Sequence, residues 1–348
     1  MITFILFVLI LGLIIFIHEL GHFIFAKKAG IHVYEFSLGF GPKLFSFRRK
    51  NDETEYMLKL IPLGGYVALA GETSEDDENE STKIPDNKKL YNKGFLSRFL
   101  VMVAGVINNF LLGIFLLFII GLIYGSTFST NELTDMKEDY PLYIAGARNG
   151  DKIIEIDGKK TKDFDDIQTR LAIAGEGKDI TVKVDKGNNN IETYKISPIK
   201  DTKDNRYYYG ISAKIEQKKG FIPAIKYAFT KFISIFKSLI IIIISLFTGK
   251  LGVDSLSGPV GIYTVVGVAK SSLYALLYLT AYLSINVGFM NLLPFPAFDG
   301  GRAFLLIIEK ITGKKVPLKV ETIINNIGFY LLMALMIFVT FKDVLKLF

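Results

Sequence analysis

The sequence predicts an α-helical polytopic membrane protein of about four transmembrane helices, with a β-hairpin region in its first loop and an inserted α+β domain. Three observations predict it. Half of the 348 residues are hydrophobic and the mean hydropathy is +0.37, apolar for a soluble globule of this size. Yet 22% of the residues are charged, so the apolar ones must be gathered into blocks. Those blocks are long enough to cross a hydrocarbon core of about 30 Å, and a polar stretch of domain size lies between two of them. At about 100–200 residues per domain, the length allows two domains or one domain plus a membrane region.

The first block, residues 1–26, has His18, Glu19 and His22 as its only ionisable side chains. It lacks the basic start and small-residue cleavage site of a signal peptide and is too long for one. The second span, 98–125, has one charge, Arg98, at its start; from Phe99 to Tyr124 it has none. A third runs through 271–301 and a fourth through 322–342. Residues 221–270 are less regular: Lys226, Lys231 and Lys237 interrupt an isoleucine-rich helix, and twelve uncharged residues separate Lys237 from Lys250. That is below the roughly 17 residues a span needs, so the stretch reads as an interfacial or protein-packed helix with a connector rather than a fifth span.

Charge gives the orientation. Lys27, Lys28, Lys43, Arg48, Arg49 and Lys50 follow the first span, and Arg302, Lys310, Lys314, Lys315 and Lys319 lie between the third and fourth. Basic loops stay in the cytoplasm, so both termini and residues 126–220 are expected outside. The net charge of +7 is then largely topological, and no nucleic-acid partner is expected. The loop 27–97 has two parts. Residues 33–70 alternate apolar and polar around Gly39-Phe40-Gly41-Pro42 and Pro62-Leu63-Gly64-Gly65, which reads as β-hairpins. Residues 72–94, with Glu72, Glu75, Asp76, Asp77, Glu78 and Glu80, read as a solvated acidic segment without structure of its own.

Within 126–220, Ala145–Gly158 reads as turn, strand and turn; a helix spans Asp163–Ala174 and an alternating strand Ile180–Val184. The Gly150-Asp151-Lys152-Ile153 and Asp157-Gly158 pattern resembles a PDZ domain. That resemblance implies capture of an extended peptide or a substrate's ectodomain at a sheet edge. A bulky ectodomain that binds nothing stays the alternative.

The absence of cysteine excludes disulfides, thiolate metal sites and thiol catalysis. Any nitrogen-ligated metal must draw on His18, His22 and His32. His18-Glu19-Leu20-Gly21-His22 is a His-Glu-x-x-His motif, whose two histidines lie about 40° apart around a helix and can reach one zinc ion. Glu19 is placed to act as general base on a water at the metal. Ionisable groups inside a membrane span cost several kcal/mol by most scales and are rarely kept without a function. His32 lies in a basic turn beyond the span and reads as a non-ligand. A hydrolytic zinc usually takes three protein ligands, so a carboxylate is wanted. Asp299 is the first charge after 28 uncharged residues, in a helix broken by Pro294, Pro296, Gly300 and Gly301. It reads as the third ligand, or else as the mark of the span's cytoplasmic end.

His18–His22, the Asn291-x-x-Pro-x-Pro-x-x-Asp299-Gly-Gly stretch and one PDZ-like insertion together resemble the bacterial site-2 protease family. The similarity covers nearly the whole chain. Ser37–Gly41 and Pro62–Val67 resemble the family's membrane-associated β-hairpin region, Ala104-Gly105 with Asn109 its second-span motif, and Ser257–Ile262 the segment ahead of its third span. The resemblance implies a zinc endopeptidase in the bacterial cytoplasmic (plasma) membrane that cuts transmembrane segments in regulated intramembrane proteolysis. Implied substrates are single-span proteins, already trimmed outside, such as anti-sigma factors, and signal-peptide remnants. By position, His18, His22 and Asp299 would hold Zn2+, Glu19 would be the base, and Asn291 would steer substrate or a developing oxyanion. The family also favours an extracytoplasmic, membrane-associated place for 222–251. Phe298 stands where the family usually has Leu, and Val106 where it often has Pro; both bear on substrate fit more than on competence. The rival classes are a metal transporter, which would show ligands on several spans and inverted repeats, and a membrane scaffold with an inert motif.

Overall fold

The structure is a computed structural model that describes residues 1–72, 84–175, 177–188, 190–200, 207–252 and 256–345. The chain divides into two compact units, residues 1–116 with 257–348, and residues 117–256.

The first unit is built on apolar helices. α1 (Ile2–Lys28) leads into β1 (Val33–Arg48) and β2 (Glu55–Leu69), and α2 (Phe95–Tyr124) begins in this unit and ends in the other. β1 and β2 pair in more than one register, and β1 turns at two glycines. Gly39 and Gly41 take φ of +86° and +83°, and a Cβ at Gly39 would lie 2.8 Å from the Ile61 carbonyl oxygen. Arg48 to Lys43 run antiparallel against Glu55 to Lys59, and Val33 to Leu38 run antiparallel against Leu69 to Gly65. Among the described pairings, Gly65–Leu69 is registered to the Val33–Leu38 stretch alone. The alternation read from sequence over 33–70 thus forms a small sheet whose inner face buries Val33, Phe36, Val67 and Leu69 against Ala26 of α1 and Val101 of α2.

Part of the segment 72–94 differs from the expectation of an unstructured loop. Its residues 75–80 lie outside the described residues. Residues 86–92 form two short turns: Leu90 is buried, its amide donates to the Ala70 carbonyl (2.7 Å), and the His32 amide donates to the Lys88 carbonyl (3.0 Å). One buried leucine and two backbone bonds suffice to seat an otherwise polar stretch.

The second unit contains one mixed region of strands and helices. In chain order it runs β3 (Ser126–Leu133), the single-turn α3 (Pro141–Ile144), β4 (Lys152–Ile156), β5 (Lys159–Lys160), α4 (Phe164–Ala174), β6 (Ile180–Asp185), β7 (Ile191–Ile196), β8 (Ile199–Lys200), β9 (Tyr207–Tyr208) and β10 (Ala213–Lys218), followed by α5 (Phe221–Phe247). The principal sheet has the order β10-β3-β4-β6-β7, with β5 on β4, while β8 and β9 pair separately. Period-2 burial drives it: Ile180, Val182 and Val184 are buried and Thr181 between them is exposed. The Asp163 carboxylate accepts from the Asp166 amide (2.9 Å) and caps α4, which buries Ile167 on the sheet. The strand and helix expected near 152–156, 163–174 and 180–184 are all present. Asp165 accepts from Lys231 (2.8 Å) and Ser234 (2.8 Å), which fixes α4 on α5.

The first unit resumes with α6 (Pro259–Ala269), α7 (Leu273–Leu292), α8 (Asp299–Thr312) and α9 (Leu318–Leu345). The sequence reading had no helix between the third and fourth spans. α8 forms there because Ala303 and Leu306 share a face with Met102 and Val103 of α2, and Gly313 ends it in the left-handed conformation. Among the described residues, five helices are long and apolar enough to cross a membrane: α1, α2, α5, α7 and α9. They include α5, the stretch read from sequence as interfacial; it is continuous for 27 residues.

Candidate metal centre

Two helices approach closely enough to bury a polar cluster. A Cβ at Gly21 of α1 would lie 2.4 Å from the Ala104 carbonyl oxygen of α2, so only a glycine admits this crossing. Gly105 is the counterpart on α2, where a Cβ would lie 2.4 Å from His22 Nε2 and 2.7 Å from His18 Cε1. The space that a side chain would fill is occupied by the two imidazoles. The 18–22 spacing sets both rings on one face, 3.3 Å apart at their Nε2 atoms.

Asp299 comes from the other end of the chain. After α7 the backbone turns sharply: the Phe295 amide donates to Leu293 O (2.7 Å) and the Phe298 amide to Phe295 O (3.1 Å). A Cβ at Gly300 or Gly301 would stand 2.2 Å from the carbonyl oxygens of Leu292 and Phe295, so the paired glycines are what let α8 start against this turn. Ala297 holds φ = +73°, a conformation that costs a β-carbon-bearing residue roughly 1–2 kcal/mol. The turn delivers Asp299 Oδ2 to 3.1 Å from His18 Nε2 and 3.3 Å from His22 Nε2.

The three donor atoms form a triangle with edges of 3.1–3.3 Å. Zinc bonds of about 2.0 Å in a tetrahedron put ligand atoms about 3.3 Å apart, so the spacing fits one tetrahedral face. Asp299 Oδ2 is buried without a hydrogen-bond partner. A buried, unsatisfied carboxylate oxygen is costly, and a cation would satisfy it. His22 Nδ1 lies 2.8 Å from the Val101 carbonyl, which can only accept, so Nε2 keeps its lone pair for a metal. His18, His22 and Asp299 therefore could hold a metal ion. His32 stands elsewhere, with Nδ1 3.4 Å from Glu53.

The cluster opens into a cavity of about 250 Å3 that also takes in Glu19, Asn291 and the strand residues Gly65–Val67. Asn291 donates from Nδ2 to the Val287 carbonyl one turn back on α7 (3.0 Å). Gly65 passes so near α1 that a Cβ there would lie 3.0 Å from Glu19 Cγ. Two residues take part through contacts that sequence reasoning does not reveal. Arg302 lines the same cavity and bridges Glu72, in the turn that follows β2, to Glu321 of α9 (3.1 Å). Arg302 and Glu72 are 230 residues apart, which leaves no local pattern to read. Asn109, one of two adjacent amides in an otherwise apolar span, lies 3.1 Å from His18 Nδ1.

A largely buried His/His/carboxylate group, a glutamate one residue from the first histidine and a fold made largely of apolar helices define a membrane metallopeptidase. The profile described as Peptidase family M50 matches residues 6–335, and the chain belongs to that family, the site-2 proteases. It is similar to a candidate zinc metalloprotease of Clostridium perfringens (37% identical, 95% of each chain). It is also similar to one from Clostridium acetobutylicum (36% identical, 97% of this chain and 96% of the relative). The regulator of sigma-W protease RasP of Bacillus subtilis is 31% identical over 99% of each chain.

Proposed function

We propose that this chain cuts transmembrane segments of other membrane proteins, with zinc held by His18, His22 and Asp299 and with Glu19 as general base. The observation that carries the reading is the meeting, in one cavity, of the donor triangle, Glu19 and the strand Gly65–Val67. Zinc, when bound, supplies Lewis acidity and activates water near neutral pH. The Glu19 carboxylate takes the proton of the attacking water and passes it to the leaving nitrogen. A helical substrate shields its carbonyls, so it must unwind before cleavage. Gly65–Leu69, registered on one side only, offers a strand that an extended substrate can join. The absent Cβ at Gly65 keeps Glu19 beside that strand, and Asn291 is a polar group for steering the substrate or its developing oxyanion.

The wider setting follows the same reading. Exposed Phe40, Leu44, Phe45 and Phe47, with Lys43 and Arg48 flanking the last three, suit a membrane-associated hairpin. Basic loops after α1 and around α8 support a reading in which those loops face the cytoplasm of a bacterial cell and both termini lie outside. The sheet and α4 support a reading of residues 126–220 as a PDZ-like domain, with either a peptide-binding role or a filter against substrates with bulky ectodomains. RasP is by name a protease regulating sigma-W, which favours anti-sigma factors and other single-span regulators as substrates.

The test is reconstitution with a helical single-span substrate, comparing wild type with Glu19→Gln and measuring zinc in both. Cleavage should fall by about 10²–10⁴-fold with zinc retained. Equal cleavage by the variant would falsify the role of Glu19, and zinc uptake into vesicles without cleavage would favour transport instead.

A further inference from the structure

A histidine that binds a metal through Nε2 must carry its proton on Nδ1, and that proton needs an acceptor. His22 has one in the Val101 carbonyl at 2.8 Å. At His18 the Nδ1 partner is the side-chain amide of Asn109, 3.1 Å away through Nδ2. In that orientation the amide donates, Nδ1 accepts, and Nε2 holds the proton, which leaves His18 unable to ligate. Asn109 Oδ1 is buried and makes no hydrogen bond. The two ends of a carboxamide fill nearly the same volume, so a half-turn about χ2 would bring Oδ1 to Nδ1 without repacking.

Asn109 is also fixed where such a role needs it. The residue is fully buried, and its main-chain carbonyl accepts from Ser284 Oγ of α7 (2.8 Å). A Cβ at Gly288 of α7 would come within 3.2 Å of Asn109 Cβ, so the asparagine is packed closely on that helix. The next residue back, Asn108, donates to the Ile17 carbonyl of α1 (3.1 Å). These contacts fix the helix positions and leave the amide's rotation as the freedom that remains.

We propose that Asn109 is a positioning residue for the metal centre: in the metal-bound protein its Oδ1 accepts from His18 Nδ1–H and so holds His18 in the ligating tautomer. The proposal rests on the reading of His18 as a ligand. The test is zinc affinity, measured by chelator competition on the full-length protein in nanodiscs, independently of any cleavage. The variants are Asn109→Leu, Asn109→Asp and, as a reference, His18→Ala. Removing an outer-shell partner of this kind typically weakens metal binding by roughly 10–100-fold, which is the loss expected for Asn109→Leu. Asn109→Asp has acceptors and no donor; it should bind zinc as wild type does or more tightly.

Wild-type affinity in Asn109→Leu would overturn the proposal, as would an Asn109→Asp affinity that falls as far as that of Asn109→Leu. Should the leucine variant not fold, the aspartate variant decides alone, because only an accepting role tolerates it. Undiminished zinc binding in His18→Ala would overturn the ligand reading itself and the proposal with it. Loss in His18→Ala alone would overturn only the role of Asn109.

Discussion

Gly105 shows most plainly how single residues make this site. Its missing side chain is the room in which His18 and His22 turn their rings, so Gly105→Ala is expected to displace at least one imidazole. Zinc content measured on the purified variant should fall well below one equivalent, while overall helicity by circular dichroism stays unchanged. The His18–His22 pair was legible in the sequence because four residues are one helical turn and the pattern is local. Asp299 was legible only as a charge in a broken span with two possible meanings. Its approach to within 3.1 Å of His18 depends on a turn that Ala297, Gly300 and Gly301 make possible, and no spacing rule encodes it. Asn109 was visible as a family motif position, but its contact with His18 crosses two helices and could not be read from either.

Between elements, the long-range ion pairs decide how the pieces are held. Arg302 joins the turn after β2 to α9 from its place on α8, in the same first unit as the donor triangle. Arg302→Ala should loosen the strand Gly65–Leu69 against α1, which would appear as a raised KM for an extended substrate with zinc content unchanged. Arg98 and Glu309 form a second such tie, buried at 2.6 Å. A third is at the turn between β1 and β2. Asp52 accepts from Lys27 (2.9 Å), from the Thr54 amide (3.2 Å) and from Tyr56 (3.0 Å). The Lys27 hydrogen bond, helped by the other two, lowers the Asp52 carboxyl to about 2. A depressed carboxyl contributes stability that is full above the ordinary value near 3.9 and is lost as pH falls towards 2. Hydrogen exchange at the Thr54 amide should therefore rise between pH 4 and pH 2 after correction for intrinsic rates, and Asp52→Asn should abolish that pH dependence. None of these pairs was legible, because each joins segments that become neighbours only on folding. α8 was hidden for a related reason: with Arg302, Glu309 and Lys310 among its residues it reads as a charged loop, until its apolar face is placed on α2.

Across the whole molecule, the contradiction between a half-hydrophobic composition and 22% charge resolves into separate apolar helices, a small sheet and a polar domain. Segregation of this kind is legible in the sequence, since span length is set by bilayer thickness. The number of crossings is harder to read, because α5 meets the length criterion while carrying Lys226, Lys231 and Lys237. The native chain has no cysteine, so single cysteines can be introduced without background. On the proposed topology, with both termini outside, a cysteine at Asn131 should react with an impermeant maleimide added to intact cells, and one at Arg49 should react only after permeabilisation. The reverse pattern would invert the proposed topology. The central claim is that two histidines and one aspartate bind the catalytic zinc. Zinc K-edge X-ray absorption on the wild-type protein tests it most directly. It should show four light-atom neighbours at about 2.0–2.1 Å, two of them imidazole nitrogens; three imidazoles, or a sulfur neighbour, would contradict the account.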